Sequence, residues 1–245
     1  MKSPHFADAK QNADIDRTRS ELYRDSVRVP FASELSLRAR RAIYRRFIEV
    51  MYPEHTASVL DIGVTCDSRS PESNFFEQFY PYKDHLTCVG TEDGSHLERD
   101  YPGMRFIPVT PGEPLPFPLG YFDVAFSNAV VEHCGDREQQ QLFISEALRV
   151  SKRFFIATPN RWFPFEVHTG IPLLHYLPVR VFRALLAQTR YGCWADERRL
   201  NILTARLFSR LFPAGTHVKV EHIGVGCGLF TSNIVAYGHC AGLRG

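Results

Sequence analysis

Three short stretches place acidic, small or amide residues where apolar runs stop, the pattern that builds a ligand site at strand ends. The first is VLDIGVTCD (59–67), an apolar run broken by Asp61 and Gly63 and continued by Val64, Thr65 and Asp67 just ahead of a helical stretch. In an open α/β sheet, ligands bind outside the carboxyl ends of strands, where backbone amides and a helix N-terminus face the crevice, and glycine allows close approach. The second is LTCVGTEDG, which puts Glu92 and Asp93 at the end of the next apolar run. A carboxylate there accepts two hydrogen bonds from the adjacent hydroxyls of a ribose. The third ends a run abruptly at Ser127 and Asn128, followed by Ala129. Together they point to a nucleoside ligand. Each residue also has a plainer use: Asp61 and Asp67 as helix caps, Glu92 and Asp93 as loop charges, Asn128 as a strand terminator. The ordered succession of three strand ends favours the ligand reading over the plain one.

A second group of residues suits proton transfer. His133 follows Glu132 just past the third stretch, on the side of the expected crevice, and a histidine there can act as a general base for an oxygen or nitrogen nucleophile. The segment Thr158 to Pro178, TPNRWFPFEVHTGIPLLHYLP, adds further candidates. Arg161 could hold an anionic group, Trp162 and Phe163 could form an apolar wall, and Glu166, His168 or His175 could orient or deprotonate a hydroxyl. The competing uses are core packing for the aromatics and satisfied structural roles for the histidines.

The elements needed to position these residues are legible as a rhythm. From Ser58, apolar runs alternate with helical stretches: SVLDIG, a helix around SNFFEQFY, LTCVGTE, a short helix near SHLERDY, then MRFIPV. YFDVAFSNA, a helix over REQQQLFISEALRV with Leu142, Phe143, Ala147 and Leu148 on its apolar side, and RFFIATPN continue the series. Such alternation makes β-α-β units and a parallel sheet. Before it, Leu35, Ala39, Ile43, Phe47 and Met51 recur at helical spacing, with arginines at 38, 40, 41, 45 and 46 as a solvated face or, less simply, a basic patch. After Asn160 comes a proline- and aromatic-rich insertion, then a helix near TARLFSRLF and two strand-like runs, HVKVEHIGV and SNIVAYGH, that can pair as an antiparallel hairpin. The expected architecture is α/β: a Rossmann-like, doubly wound, mostly parallel seven-stranded sheet with an antiparallel C-terminal edge strand and a helical cap-like insertion. One domain spans 1–245, divided into an N-terminal tail and helix (1–52), a ligand-binding core (58–160), a substrate-side insertion (161–203) and a C-terminal helix and hairpin (204–240).

Composition narrows the partners. The chain has 245 residues, 44% hydrophobic and 23% charged, enough for a substantial core. Its formal net charge of +2 comes from nearly balanced acids and bases, unlike a dedicated nucleic-acid binder. Six cysteines without a C-x-x-C pair indicate neither a zinc site nor a disulfide framework, so no metal ligand set is expected and a reducing, cytoplasmic setting fits. The polar N-terminus lacks the apolar core of a secretory signal. The most apolar window, Ile171 to Ala187, is broken by Pro172, His175, Pro178, Arg180 and Arg183, so stable membrane insertion is not expected. Peripheral contact through that stretch stays open, as does the oligomeric state.

Taken together, VLDIGVTCD, LTCVGTEDG and PLPFPLGYFDVAFSNAVVEH (114–133) resemble the type-11 small-molecule methyltransferases, a class I family that includes quinone and sterol methylating enzymes. The resemblance covers roughly Ser58 to Asn160. It implies S-adenosylmethionine as cofactor, with Asp61 and Gly63 against its methionine part, Glu92 on its ribose, and Val64, Thr65, Asp67, Asp93, Asn128 and Ala129 around it. The family often carries an acid near the adenine amino group; here the segment reads VTPGEP, with Glu113 as a displaced candidate. Thr65 and Asp67 also stand where the family's glycine-rich motif places later glycines. The implied reaction is methyl transfer to an oxygen, nitrogen or carbon of a small molecule. DIGVT together with TPNRWFP resembles bacterial members of the family, some of which look like enzymes of glycan or other secondary biosynthesis, which makes a sugar, a lipid-linked intermediate or a natural-product precursor an expected acceptor class. The altered loop keeps two alternatives in view: aminocarboxypropyl transfer or cyclisation that releases methylthioadenosine, and a noncatalytic partner of the same fold. A nicotinamide-dependent oxidoreductase is disfavoured because the first turn lacks G-x-G-x-x-G.

Overall fold

The computed structural model describes residues 30–67 and 72–240, so the tail expected ahead of the first helix lies outside the described residues. Helix α1 (Pro30–Met51) precedes β1 (Val59–Ile62), α2 (Phe75–Phe79), β2 (Leu86–Gly90), α3 (Leu97–Asp100) and β3 (Arg105–Pro108). Then follow β4 (Phe122–Asn128), α4 (Arg137–Val150), β5 (Ser151–Pro159), α5 (Val179–Leu186), α6 (Ala205–Ser209), β6 (His217–Ile223) and β7 (Asn233–His239).

The strands form one seven-stranded sheet in the order β3-β2-β1-β4-β5-β7-β6. Strands β1 to β5 run parallel; β7 is antiparallel to both β5 and β6. The C-terminal hairpin is therefore present, and its second strand lies inside the sheet next to β5 while β6 forms the rim. The strand order reverses between β1 and β4, which opens a crevice at their carboxyl ends.

Alternate residues along the strands pack to opposite faces, which is why both faces need helices. Val59, Phe126 and Phe155 face α1 and α2, joining Ile43, Phe47, Met51 and Phe76 in one core. The α1 residues recur at the helical spacing read from the sequence, and Phe76 stacks on Phe126 at 4.1 Å between ring centroids. Leu60, Phe122, Phe154 and Ile234 face the other way and pack with Ile144 and Ala147 of α4 and Phe208 of α6.

Helix α4 starts where Asp136 caps the Gln139 amide and Gln139 returns a side-chain bond, a reciprocal capping box. Its apolar side departs from the expected one at Leu142, which is 66% exposed, because the face turned to the sheet runs through Gln140, Ile144, Ala147 and Leu148. Two of the α1 arginines are held in ion pairs. Arg38 pairs with Glu34 at 2.7 Å and Arg46 with Glu221 at 2.9 Å. The insertion after β5 carries its own small core of Phe182, Leu186, Trp194, Leu200 and Ile202. Among the described residues no helix is long and apolar enough to cross a membrane.

Candidate active site

A cavity of about 550 Å³ lies at the carboxyl ends of β1, β2 and β4 and extends under the insertion. At its β1 end, the buried strand VLDI runs into Gly63, whose φ is +96° and whose missing Cβ would lie 2.3 Å from Val130 Cγ2. Only glycine meets both conditions. The Gly63 and Val64 amides bond back to the Val89 carbonyl at 2.8 and 3.2 Å, and the Asp67 amide donates to Thr65 Oγ1 at 3.2 Å. Thr65 thus turns the loop with its hydroxyl where a glycine would turn it by backbone freedom.

Asp61, Gly63, Val64, Thr65, Asp67 and Glu92 all line the cavity. Burial, and after it the charge of Glu77, raises the Asp61 carboxyl well above the ordinary range. Burial and then the neighbouring Glu92 carboxylate push the Cys66 thiol up to about 12, which places that thiol between the β1 loop and the β2 end. At the end of β4, Ser127 donates to the Ile62 carbonyl at 2.8 Å, joining the two central strands. Asn128 and Ala129 follow on the cavity wall, Ala129 with φ at 58° and the Asn128 Oδ1 atom buried without a hydrogen-bond partner.

Two residues expected at the cofactor lie away from this cavity. Asp93 is exposed and accepts the Ser95 amide at 3.1 Å, which holds its carboxyl below the usual range; it stabilises its own turn and does not line the cavity. Glu113 sits in the exposed turn after β3, its amide bonded to Thr110, and is likewise absent from the cavity wall.

The acceptor end joins β4 to the insertion. His133 and His168 meet with their Nε2 atoms 3.1 Å apart, both on the cavity wall. His133 Nδ1 is 2.7 Å from the Arg199 carbonyl and His168 Nδ1 is 2.6 Å from Glu166 Oε1. A carbonyl accepts only, so His133 carries a proton on Nδ1. Burial opposes ionisation of Glu166, but His168 and the amides of His168 and Thr169 outweigh it and draw the carboxyl down to about 2. His168 Nδ1 therefore donates as well. Trp194 closes this end, its ring 5.0 Å from His168 and 5.8 Å from His133.

Behind the pair, Glu132 is fully buried and accepts from Thr158 Oγ1 at 2.9 Å through Oε2, while Oε1 has no hydrogen-bond partner. Burial pushes its pKa up to about 7. Glu132, His133 and His168 present ligand atoms within 4.8 Å of one another, a grouping that cysteine spacing could not indicate.

Three expected substrate residues serve the insertion itself. Arg161 donates to the Leu177 carbonyl at 3.0 Å, Trp162 stacks edge-on to Tyr176, and His175 Nε2 donates to the Phe163 carbonyl at 2.8 Å. None of the three lines the cavity; Glu166 and His168 do. Sequence reasoning missed Glu72 and Asn74, cavity-lining residues with buried side-chain atoms lacking hydrogen-bond partners, and also Glu77, Glu132 and Trp194. Only Glu132 carried a local signal, its place beside His133.

The crevice at a sheet switch point, entered by a glycine turn and a β2-end carboxylate, defines a class: the fold is that of the class I S-adenosylmethionine-dependent methyltransferases. The family model described as methyltransferase domain matches residues 95–154. Similar solved structures include a SAM dependent methyltransferase from Aquifex aeolicus, 12% identical over 91% of this chain and 98% of that one, with a TM-score of 0.51. The PH0226 protein from Pyrococcus horikoshii is 13% identical over 81% and 88%, with a TM-score of 0.53. PigF, solved with SAH, is 16% identical over 97% of this chain and 62% of its own, with a TM-score of 0.52. No curated protein matches the chain.

Proposed function

We propose that this chain transfers a methyl group from S-adenosylmethionine to an oxygen or nitrogen of a small molecule, with a sugar, lipid-linked or natural-product hydroxyl as the favoured acceptor. The observation that carries the reading is the continuity of one cavity from the β1–β2–β4 strand ends to the hydrogen-bonded His133–His168–Glu166 chain.

The residues present fit the cofactor. Gly63 leaves the space that a Cβ would fill, Glu92 offers acceptors at the β2 end, and Asn128 Oδ1 offers a buried acceptor without a partner. Asp61 and Asp67 supply negative charge toward a cationic ligand. When bound, the cofactor supplies an electrophilic methyl carbon on a sulfonium. The protein's part is to align and to dry the reacting groups; such positioning is worth ~7–11 kcal/mol in favourable intramolecular cases. Trp194 and Phe163 wall the acceptor end, and the histidine pair presents its Nε2 edges to a hydroxyl there. Glu166 positions His168 by accepting from its Nδ1.

The test is incubation with S-adenosylmethionine and a cell extract from the source organism, with mass analysis of cofactor and acceptor products. S-adenosylhomocysteine with a product heavier by one methylene is expected. Methylthioadenosine would mean transfer or cyclisation of the aminocarboxypropyl arm, and binding without turnover would mean a noncatalytic partner protein.

A further inference from the structure

We propose that Glu132, His133 and His168 bind a divalent first-row transition-metal ion, with open coordination positions facing the cavity. This goes beyond methyl transfer, because it is a claim about binding. Two imidazoles and one carboxylate are the donor set that zinc and iron(II) sites use when they keep positions free for another ligand. The three donor atoms lie within 4.8 Å of one another, with the Nε2 pair at 3.1 Å and Glu132 Oε1 at 4.0 Å from His133 Nε2. Donors on one ion at ~2.0–2.1 Å stand roughly 2.9–3.4 Å apart at octahedral or tetrahedral angles. The histidines already satisfy that spacing, and Glu132 must close by about 0.6 Å on His133 and by up to about 1.4 Å on His168 to reach it, a movement within one side-chain rotation.

Two independent features separate this cluster from a chance grouping. Glu132 Oε1 is buried and has no hydrogen-bond partner among the described residues, a carboxylate oxygen left with only the more distant His133 Nε2 at 4.0 Å. Each candidate ligand also has the outer partner that a metal ligand needs: Thr158 on Glu132, the Arg199 carbonyl on His133 Nδ1, and Glu166 on His168 Nδ1. The Arg199 carbonyl and Glu166 accept from the two Nδ1–H groups, which leaves both Nε2 atoms to ligate. A proton carried on either Nε2 atom leaves to solvent as the ion binds, since only the deprotonated nitrogen ligates. The dipositive charge then balances Glu132 and Glu166 together. His133 and His168 line the cavity, so a free coordination position faces it; its use by an acceptor oxygen rests on the methyl-transfer reading.

The experiment uses the full chain stripped with chelator, then equilibrated with Co²⁺ or Zn²⁺ alone. One ion per chain is expected, bound at least about 100-fold more weakly by His168→Ala and by Glu132→Gln, and about 10- to 100-fold more weakly by Thr158→Val, whose hydroxyl only orients a ligand. Cofactor affinity measured on the same variants reports folding separately from the metal site. Absent stoichiometric binding, or binding unchanged in His168→Ala and Glu132→Gln, overturns the proposal. Should the variants not fold, X-ray absorption of the zinc-loaded wild-type chain decides: two imidazole nitrogens with oxygen donors support it, and thiolate sulfur in the shell refutes it. Metal binding with no methyl transfer would leave the site standing and remove only the functional reading.

Discussion

The two ends of the cavity are built by different means. The cofactor end is a set of strand termini, each a few consecutive residues long: Asp61 to Asp67, Glu92, and Asn128 with Ala129. The acceptor end is assembled from residues far apart in the chain, with His133 meeting His168, and Trp194 and the Arg199 carbonyl closing around them. Local backbone geometry dictates the first. The second exists only because the insertion folds back on its own core of Phe182, Leu186 and Trp194. Binding and chemistry should therefore be separable by mutation.

The largest expected effect tests that separation directly. His168→Ala should lower turnover by ~10²–10⁴-fold, the range for loss of a positioned proton-transfer group, with cofactor affinity unchanged. Equal loss of both in calorimetry and steady-state kinetics would mean that His168 is structural. At the other end, Gly63→Val forces a side chain into a positive φ and against Val130; a strained backbone of about 1–3 kcal/mol predicts a 5- to 150-fold loss of cofactor affinity. Full affinity in titration calorimetry would show that the β1 turn does not hold the cofactor.

Glu92→Ala should weaken cofactor binding by roughly 10- to 100-fold, because hydrogen bonds to a charged group contribute about 1.5–3 kcal/mol. Unchanged affinity would refute the ribose assignment. The smallest effect is a pH dependence. Asp61 titrates well above its ordinary 3.8 in the folded protein because it is buried beside Glu77. Its protonation stabilises the ligand-free fold fully below that ordinary value, and the contribution is lost as pH rises through the raised one. A cationic cofactor favours the carboxylate form, so the increase in melting temperature on adding cofactor should grow with pH over the same range. A shift that is flat with pH would remove Asp61 from the cationic end.

Glu92 and Asp93 show how far a motif reaches. Adjacent in sequence, they are equivalent candidates by composition, yet only Glu92 faces the cavity, since Asp93 folds back onto the Ser95 amide. Arg161, Trp162 and His175 likewise had suitable chemistry for substrate contact and are used instead to hold the insertion. Side-chain type names what a residue can do, and the direction of the backbone decides whether the cavity receives it.

The amino-acid sequence by itself determined the alternation of strands and helices, the two-sided burial of the sheet and the polar strand ends, because period-2 and helical patterns and a glycine turn are properties of neighbouring residues. Tertiary structure alone decided that β7 enters between β5 and β6, that Leu142 faces solvent, and that Glu132, His133, Glu166 and His168 share one site. Those outcomes depend on contacts between segments distant in the chain, which packing selects and local pattern does not encode.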